Sequence, residues 1–206
     1  MAETDPTPAA SPTPVAPAPV SVRALITLAT IAIGVYAFDQ LTKYLVVENL
    51  PLREPVEVLG TVLQFYFVEN PGAAFSIATG YTWIFSIAAA AVTVFIIIFA
   101  RRIRSMSWAI LFGMLLGGTV GNLTDRLFRE PSFGLGHVVD FIQVAGFPAI
   151  FNIADSFIVA SMGLFIILTL RGVNLDGTRD VPRPTATAAA STPDDADDTA
   201  THGDSR

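Results

Sequence analysis

Residues 151–170 read FNIADSFIVASMGLFIILTL, a run long and apolar enough to cross a bilayer, which takes roughly 20 residues in helical form. Near its start stand Asn152 and Asp155, three residues apart and so on one face of the helix. A carboxylate at the edge of lipid is costly, and a plain anchor gains nothing from it. Asp155 therefore asks for partners elsewhere in the chain.

Three further segments are long enough to span: about 22–47 (VRALITLATIAIGVYAFDQLTKYLVV), 81–100 (YTWIFSIAAAAVTVFIIIFA) and 106–128 (MSWAILFGMLLGGTVGNLTDRLF). Only RRIRS separates the second from the third, which implies a tight helical hairpin. Arg101, Arg102 and Arg104 crowd that loop, with Arg23 and Arg171 flanking the first and last helices on the same side. The excess of basic residues places this side, and both termini, in the cytoplasm. Lys43, Arg53, Arg126 and Arg129 fall on the other face, so the bias is moderate.

Residues 48–80 and 129–150 then lie outside. Within the first, EVLGTVLQFYFVEN is rich in β-branched and aromatic residues with partial alternation, the pattern of a short β-element resting on the membrane surface. The expected fold is an all-α membrane protein of four transmembrane helices with a small extracytoplasmic β-element. Gly113, Gly117 and Gly121 recur every fourth residue in the third helix and allow a neighbouring helix to approach closely.

Composition supports a membrane chain: 52% of the 206 residues are apolar and the mean hydropathy is +0.57, well above that of ordinary soluble domains. The net charge of −6 belongs to the ends. Glu3 and Asp5 precede residue 21, and seven acids against three arginines follow residue 171, so the segment between them is neutral. That distribution gives no reason to expect a nucleic-acid partner. Residues 1–20, rich in proline and alanine, and 172–206, acidic, are expected to be disordered tails around a domain at 21–171. The N-terminal stretch lacks the basic start of a secretory signal.

No cysteine is present, which excludes thiol catalysis, disulfides and cysteine-held metal. With only His137 and His202, a histidine zinc site or a serine triad would rest on His137 alone. Carboxylates remain the main chemical resource, with no metal or cofactor expected.

On the four-helix topology those carboxylates converge. Asp39 and Lys43 lie toward the outer end of the first helix, and Asn122, Asp125 and Arg126 at the outer end of the third. Asp140 sits in HVVDFI of the second outer loop, and Asn152 and Asp155 begin the fourth helix. Each has a plainer reading. Asp125 and Arg126 could end a helix at the interface, Asp39 and Lys43 could form an intrahelical pair, and Asn152 could cap the fourth helix. Asp140 could be an ordinary loop acid, and His137 a loop residue with a local hydrogen bond. Asp155, inside the apolar run, is hardest to explain this way.

Two carboxylates held close together cannot both ionise cheaply, so one keeps a proton near neutral pH. The ionised member can take a proton from water while the other polarises a carbonyl. A proton-coupled transporter or channel subunit would instead need polar groups stepping toward the cytoplasmic side, and the helices offer only scattered Ser and Thr there. A catalytically inert membrane scaffold would have no use for the full set of acids.

DQLTK (39–43), NPGAAF (70–75), GGTVGNLTDR (117–126), HVVDFI (137–142) and FNIADS (151–156) occur in an order that resembles the lipoprotein signal peptidase (signal peptidase II) family of bacterial aspartic membrane peptidases. The likeness covers roughly residues 22–171. It implies a catalytic pair, Asp140 and Asp155. It also implies supporting or substrate-binding positions at Asn122, Asp125, Arg126, Asn152, Asn70, Gly72, Asp39 and Lys43, with Ala74 and Phe75 beside the groove. Asp125 is left outside the pair. The segment from Arg126 to Asp140 is longer than in many relatives, and that from Asp140 to Asp155 shorter. The implied substrate is a prolipoprotein whose lipobox cysteine carries diacylglycerol, cut just before that cysteine at the outer face of the bacterial inner membrane. Membrane lipid is the expected surrounding, and a monomer the expected state.

Overall fold

The computed structural model describes residues 20–72 and 82–179. It contains four helices, α1 (Val22–Asn49), α2 (Thr82–Phe99), α3 (Met106–Phe128) and α4 (Ile153–Leu170), and three strands, β1 (Pro55–Leu59), β2 (Leu63–Asn70) and β3 (Val138–Val144). All four helices have the length and hydropathy of membrane spans. Large apolar side chains such as Ile33, Ile98, Val159 and Leu170 point outward, as they do where lipid is the solvent. The expected fold class is the one observed.

Helix α3 is the axis of the bundle, and its glycines set the spacing. A Cβ on Gly113 would stand 2.9 Å from the Leu28 carbonyl, and one on Gly117 2.6 Å from the Ala32 carbonyl, so this stripe lies directly on the α1 backbone. Gly118 turns the other way, where a Cβ would meet the Ala154 carbonyl of α4 at 2.6 Å. Small residues thus bring three backbones close enough for short side chains to reach across.

The buried line of α1 runs Ala24, Leu28, Ala32, Val35, Asp39, Lys43, Val46. Its steps of three and four follow one helical face, and that face changes from aliphatic to charged and back. At 28 residues, α1 is about 42 Å long and outreaches a hydrocarbon core of about 30 Å. Its far end meets the sheet, where Val46 packs with Phe67, Val139 and Phe141.

The strands pair antiparallel in the order β1-β2-β3. The first two form the surface β-element anticipated at 57–70. The third was expected to be loop and corrects that reading, since Asp140 stands in a strand, opposite Val68 of β2. After β3 the chain returns sharply: Phe141 and Ile142 both donate to the Phe151 carbonyl, at 3.0 and 2.8 Å, and Phe151 donates back to Ile142. That return delivers the chain to the start of α4.

At the opposite end, Arg101 and Arg102 lie in a short 3-10 turn, Ala100–Arg102, between α2 and α3. The chain does not become a loose tail at 172. The backbone N–H groups of Arg104 and Ser105 both donate to the Leu175 carbonyl at 2.9 Å, and Trp108 Nε1 donates to Val173 O at 2.9 Å. Leu175 and Val173 pack on the core around Trp108, so residues 172–179 close that end of the bundle. The expected tails at 1–19 and 180–206, and the groove positions Ala74 and Phe75, lie outside the described residues.

Candidate active site

Asn152 is the N-cap of α4 and is fully buried. Its Oδ1 accepts from the Asp155 backbone N–H at 2.9 Å, and its own N–H donates to Asp155 Oδ2 at 3.2 Å, closing a reciprocal capping box. The capping role anticipated for Asn152 is therefore present, and it leaves the Asn152 amide nitrogen free for other work. That Nδ2 donates to Asp140 Oδ1 at 2.7 Å, and also approaches Asn122 Oδ1 at 3.1 Å and the Val139 carbonyl at 3.3 Å. One side chain thus ties the first turn of α4 to β3 and α3.

Asp140 and Asp155 line the same cavity, of about 570 Å³, together with Asn70, Ser156 and the apolar side chains of Phe147, Ile150, Phe151 and Val159. Each carboxylate has both oxygens in use. Asp140 Oδ2 accepts from Asn70 Nδ2 at 2.8 Å. Asp155 Oδ1 accepts from Asn122 Nδ2 at 2.8 Å. Asn70 is itself oriented by its oxygen, which takes the Gly72 N–H at 2.9 Å, so that its NH₂ faces the acid. Gly72 has φ of +120°, and a Cβ there would strike the Phe85 ring at 2.8 Å; only glycine suits that position.

Asp140 is 2% exposed. Burial is the main cause that pushes its carboxyl up to about 7, and the nearby charge of Asp155 adds to the rise. Hydrogen bonds from Asn70 and Asn152 and the charge of Lys43 pull the other way. An acid in that range can hold or release a proton at neutral pH, which is the property general acid–base chemistry needs.

Behind the cavity lies a closed charge network. Lys43 Nζ meets Asp39 Oδ2 and Asp125 Oδ2, each at 2.8 Å, and Asn122 Oδ1 at 2.9 Å. Asp125 Oδ1 takes Arg129 Nε at 2.7 Å, and its other oxygen takes the Val139 N–H at 3.3 Å. Asp39 Oδ1 accepts from the Ala154 N–H at 2.9 Å. Two bases offset two acids, which is how charge survives in the interior of a membrane bundle. The intrahelical Asp39–Lys43 pair exists, but as one edge of this network. Asp125 is committed to Lys43, Arg129 and strand β3, and is not among the residues that line the cavity.

Arg126 is not among the residues that line the cavity. Its guanidinium lies over the Phe85 ring, 5.4 Å from the centroid, and its buried Nη1 has no hydrogen-bond partner among the described residues. His137 donates its backbone N–H to Glu130 O at 2.9 Å, just before β3. Sequence reasoning did not single out Gln40, whose Nε2 donates to Asp39 Oδ2 at 3.2 Å and to Gly121 O at 3.1 Å. Gly136 also escaped notice: a Cβ there would lie 2.2 Å from the Asp125 carbonyl. That close approach folds the post-α3 segment back to begin β3. Among the described residues no cluster of three or more His, Cys, Asp or Glu is arranged to hold a metal ion.

Four helices of membrane-spanning length, a three-stranded sheet at one end of the bundle and two acids lining one cavity define a polytopic membrane protein. Residues 31–171 match the family model described as signal peptidase (SPase) II, and the chain belongs to that peptidase family. It is 59% identical over 171 residues to the lipoprotein signal peptidase of Leifsonia xyli subsp. xyli, across 83% of this chain and 79% of that protein. The lipoprotein signal peptidase of Rhodococcus jostii is 45% identical over 163 residues, covering 79% of this chain and 82% of the relative. A solved structure titled as a bacterial membrane enzyme superposes with a TM-score of 0.65 at 28% identity, covering 79% of this chain and 98% of that one. This chain is accordingly a multi-pass membrane peptidase.

Proposed function

We propose that the protein removes signal peptides from prolipoproteins by cleaving just before the diacylglyceryl-modified lipobox cysteine, with Asp140 and Asp155 as the catalytic pair and a water molecule as nucleophile. The observation that carries this reading is the common cavity of the two acids, joined through Asn152, which bonds the side chain of one and the backbone of the other.

In this scheme Asp140, raised to about 7 by burial and by Asp155, holds the shared proton and polarises the scissile carbonyl. Ionised Asp155 takes a proton from water as the water oxygen bonds to the carbonyl carbon. The tetrahedral intermediate then expels the amine as the C–N bond breaks, and Asp155 gives the amine the proton it took from water and returns to its ionised form. No metal or cofactor enters. Asn70, Asn122 and Asn152 hold the acids, and Gly72 and Arg126 border the substrate.

The apolar wall of Phe147, Ile150, Phe151 and Val159 suits a lipid-bearing substrate. Membrane partition of the signal peptide and its acyl chains concentrates the bond at the cavity, so the protein need only orient it. Arg101 and Arg102 lie in the turn at the other end of the bundle, while Lys43 and Arg129 are neutralised by acids near the site. The effective bias thus favours termini in the cytoplasm and the site at the outer face of the inner membrane. The protein acts as a monomer within the lipid.

The test is to incubate the purified protein with a diacylated and a non-lipidated lipobox substrate, with and without chelator. Cleavage that requires the lipid and resists the chelator is the expected result. Equal cleavage of both substrates, or loss of activity with chelator, contradicts it.

A further inference from the structure

We propose that Lys43 is a positioning residue for this reaction: its ammonium locks the Asn122 amide in the one orientation that aims an N–H at Asp155. The inference rests on the reading of Asp140 and Asp155 as the catalytic pair.

An ammonium has three donors and no acceptor. Lys43 is fully buried, and its three contacts are Asp39 Oδ2, Asp125 Oδ2 and Asn122 Oδ1. Every donor therefore has an acceptor, and the one uncharged acceptor is the Asn122 oxygen. Turning the Asn122 amide over would set its NH₂ against the ammonium and its oxygen against the Asp155 carboxylate, two repulsive contacts in place of two favourable ones. Asn152 Nδ2, 3.1 Å from the same oxygen, reinforces the choice. With the oxygen fixed, Nδ2 points to Asp155 Oδ1 at 2.8 Å.

Asp39 and Asp125 carry the opposite charge that lets an ammonium stay buried there. The arrangement also explains why the aliphatic seam of α1 is interrupted at Asp39 and Lys43. Lys43 hydrogen-bonds neither proposed catalytic acid, so its positioning effect passes through Asn122. Its charge also acts on Asp140 through space, and kcat is therefore compared on the acid side of the pH profile, where Asp140 stays protonated in every variant.

A double-mutant cycle tests this, with Lys43→Met and Asn122→Ala assayed singly and together on a diacylated lipobox peptide in detergent micelles. Lys43→Met is expected to lower kcat about 100-fold, the scale of a misplaced catalytic group, with KM changed less than about twofold. In the Asn122→Ala background the same substitution should lower kcat less than about threefold further, because the residue it acts through is gone. If the losses multiply, or if KM rises while kcat holds, the proposal is overturned. Should Lys43→Met fail to fold, the cycle is run in an Asp39→Asn background, where loss of the ammonium leaves the remaining Asp125 and Arg129 charges balanced. An inactive wild type would count against the proposed function; additive losses in an active one count against Lys43 alone.

Discussion

Asn152 and Asp155 hold each other reciprocally, each side chain accepting the backbone N–H of the other across the first turn of α4. A helix cap and a candidate catalytic site are thus built from the same two residues, and the Asn152 amide nitrogen donates to Asp140 as well as toward Asn122 and Val139. The two roles can be separated. Asn152→Ser keeps a good capping oxygen and loses the amide donor. Its thermal midpoint should fall less than that of Asn152→Ala, while kcat falls by at least about 100-fold, as when a single oriented donor is removed from an active site. Asn152→Ala should lose the cap as well, about 1 kcal/mol of stability.

The raised carboxyl of Asp140 gives the pH dependence a sign. If this acid must be protonated to polarise the carbonyl, activity falls as pH climbs through about 7. The Asn70 hydrogen bond favours the ionised form, so Asn70→Ala should move that alkaline limb to higher pH while lowering the maximum rate. A pH profile of kcat for the two proteins measures both effects.

Asp125 should behave as a structural anchor. Asp125→Asn weakens contacts to Lys43, Arg129 and Val139 together, leaving charge in the bundle without its partner. A loss of about 3 kcal/mol or more is expected, read as a lower thermal midpoint in detergent.

The glycine stripe gives a prediction about packing. A Cβ on Gly121 would lie 2.5 Å from Asp39 Oδ2, an oxygen already held by Lys43 and Gln40. Gly121→Ala should therefore destabilise by about 1–3 kcal/mol, the usual scale of overpacking. Gly34, with nothing within 4 Å of its would-be Cβ, should accept alanine without loss. Comparing the two thermal midpoints checks this.

The four spans were legible because lipid leaves a helix no choice but to be long and apolar, and the family motifs marked Asp140 and Asp155. The strand carrying Asp140 was not legible. VVDFIQV is too short to separate strand from loop by periodicity, and its pairing partner β2 lies far earlier, with Asn70 standing 70 residues before Asp140. The charge network was half legible: the i to i+4 spacing of Asp39 and Lys43 was visible, but their place on the buried seam needed the positions of Ala24, Leu28, Ala32 and Val35 to be read in line with them. The ordered turn at 172–179 was hidden by the acidic composition beyond it. Leu175 and the Trp108 indole, distant in sequence, supply the contacts that hold it.

The most direct measurement is the cleavage rate of a diacylated lipobox substrate by purified Asp140→Asn and Asp155→Asn proteins, with folding checked by thermal midpoint. Each amide keeps the shape of the acid and removes its charge and proton. Both variants should stay folded and lose at least about 10³-fold in rate, in the upper range for an acid–base group. A folded variant of either kind that cleaves at the wild-type rate would contradict the account.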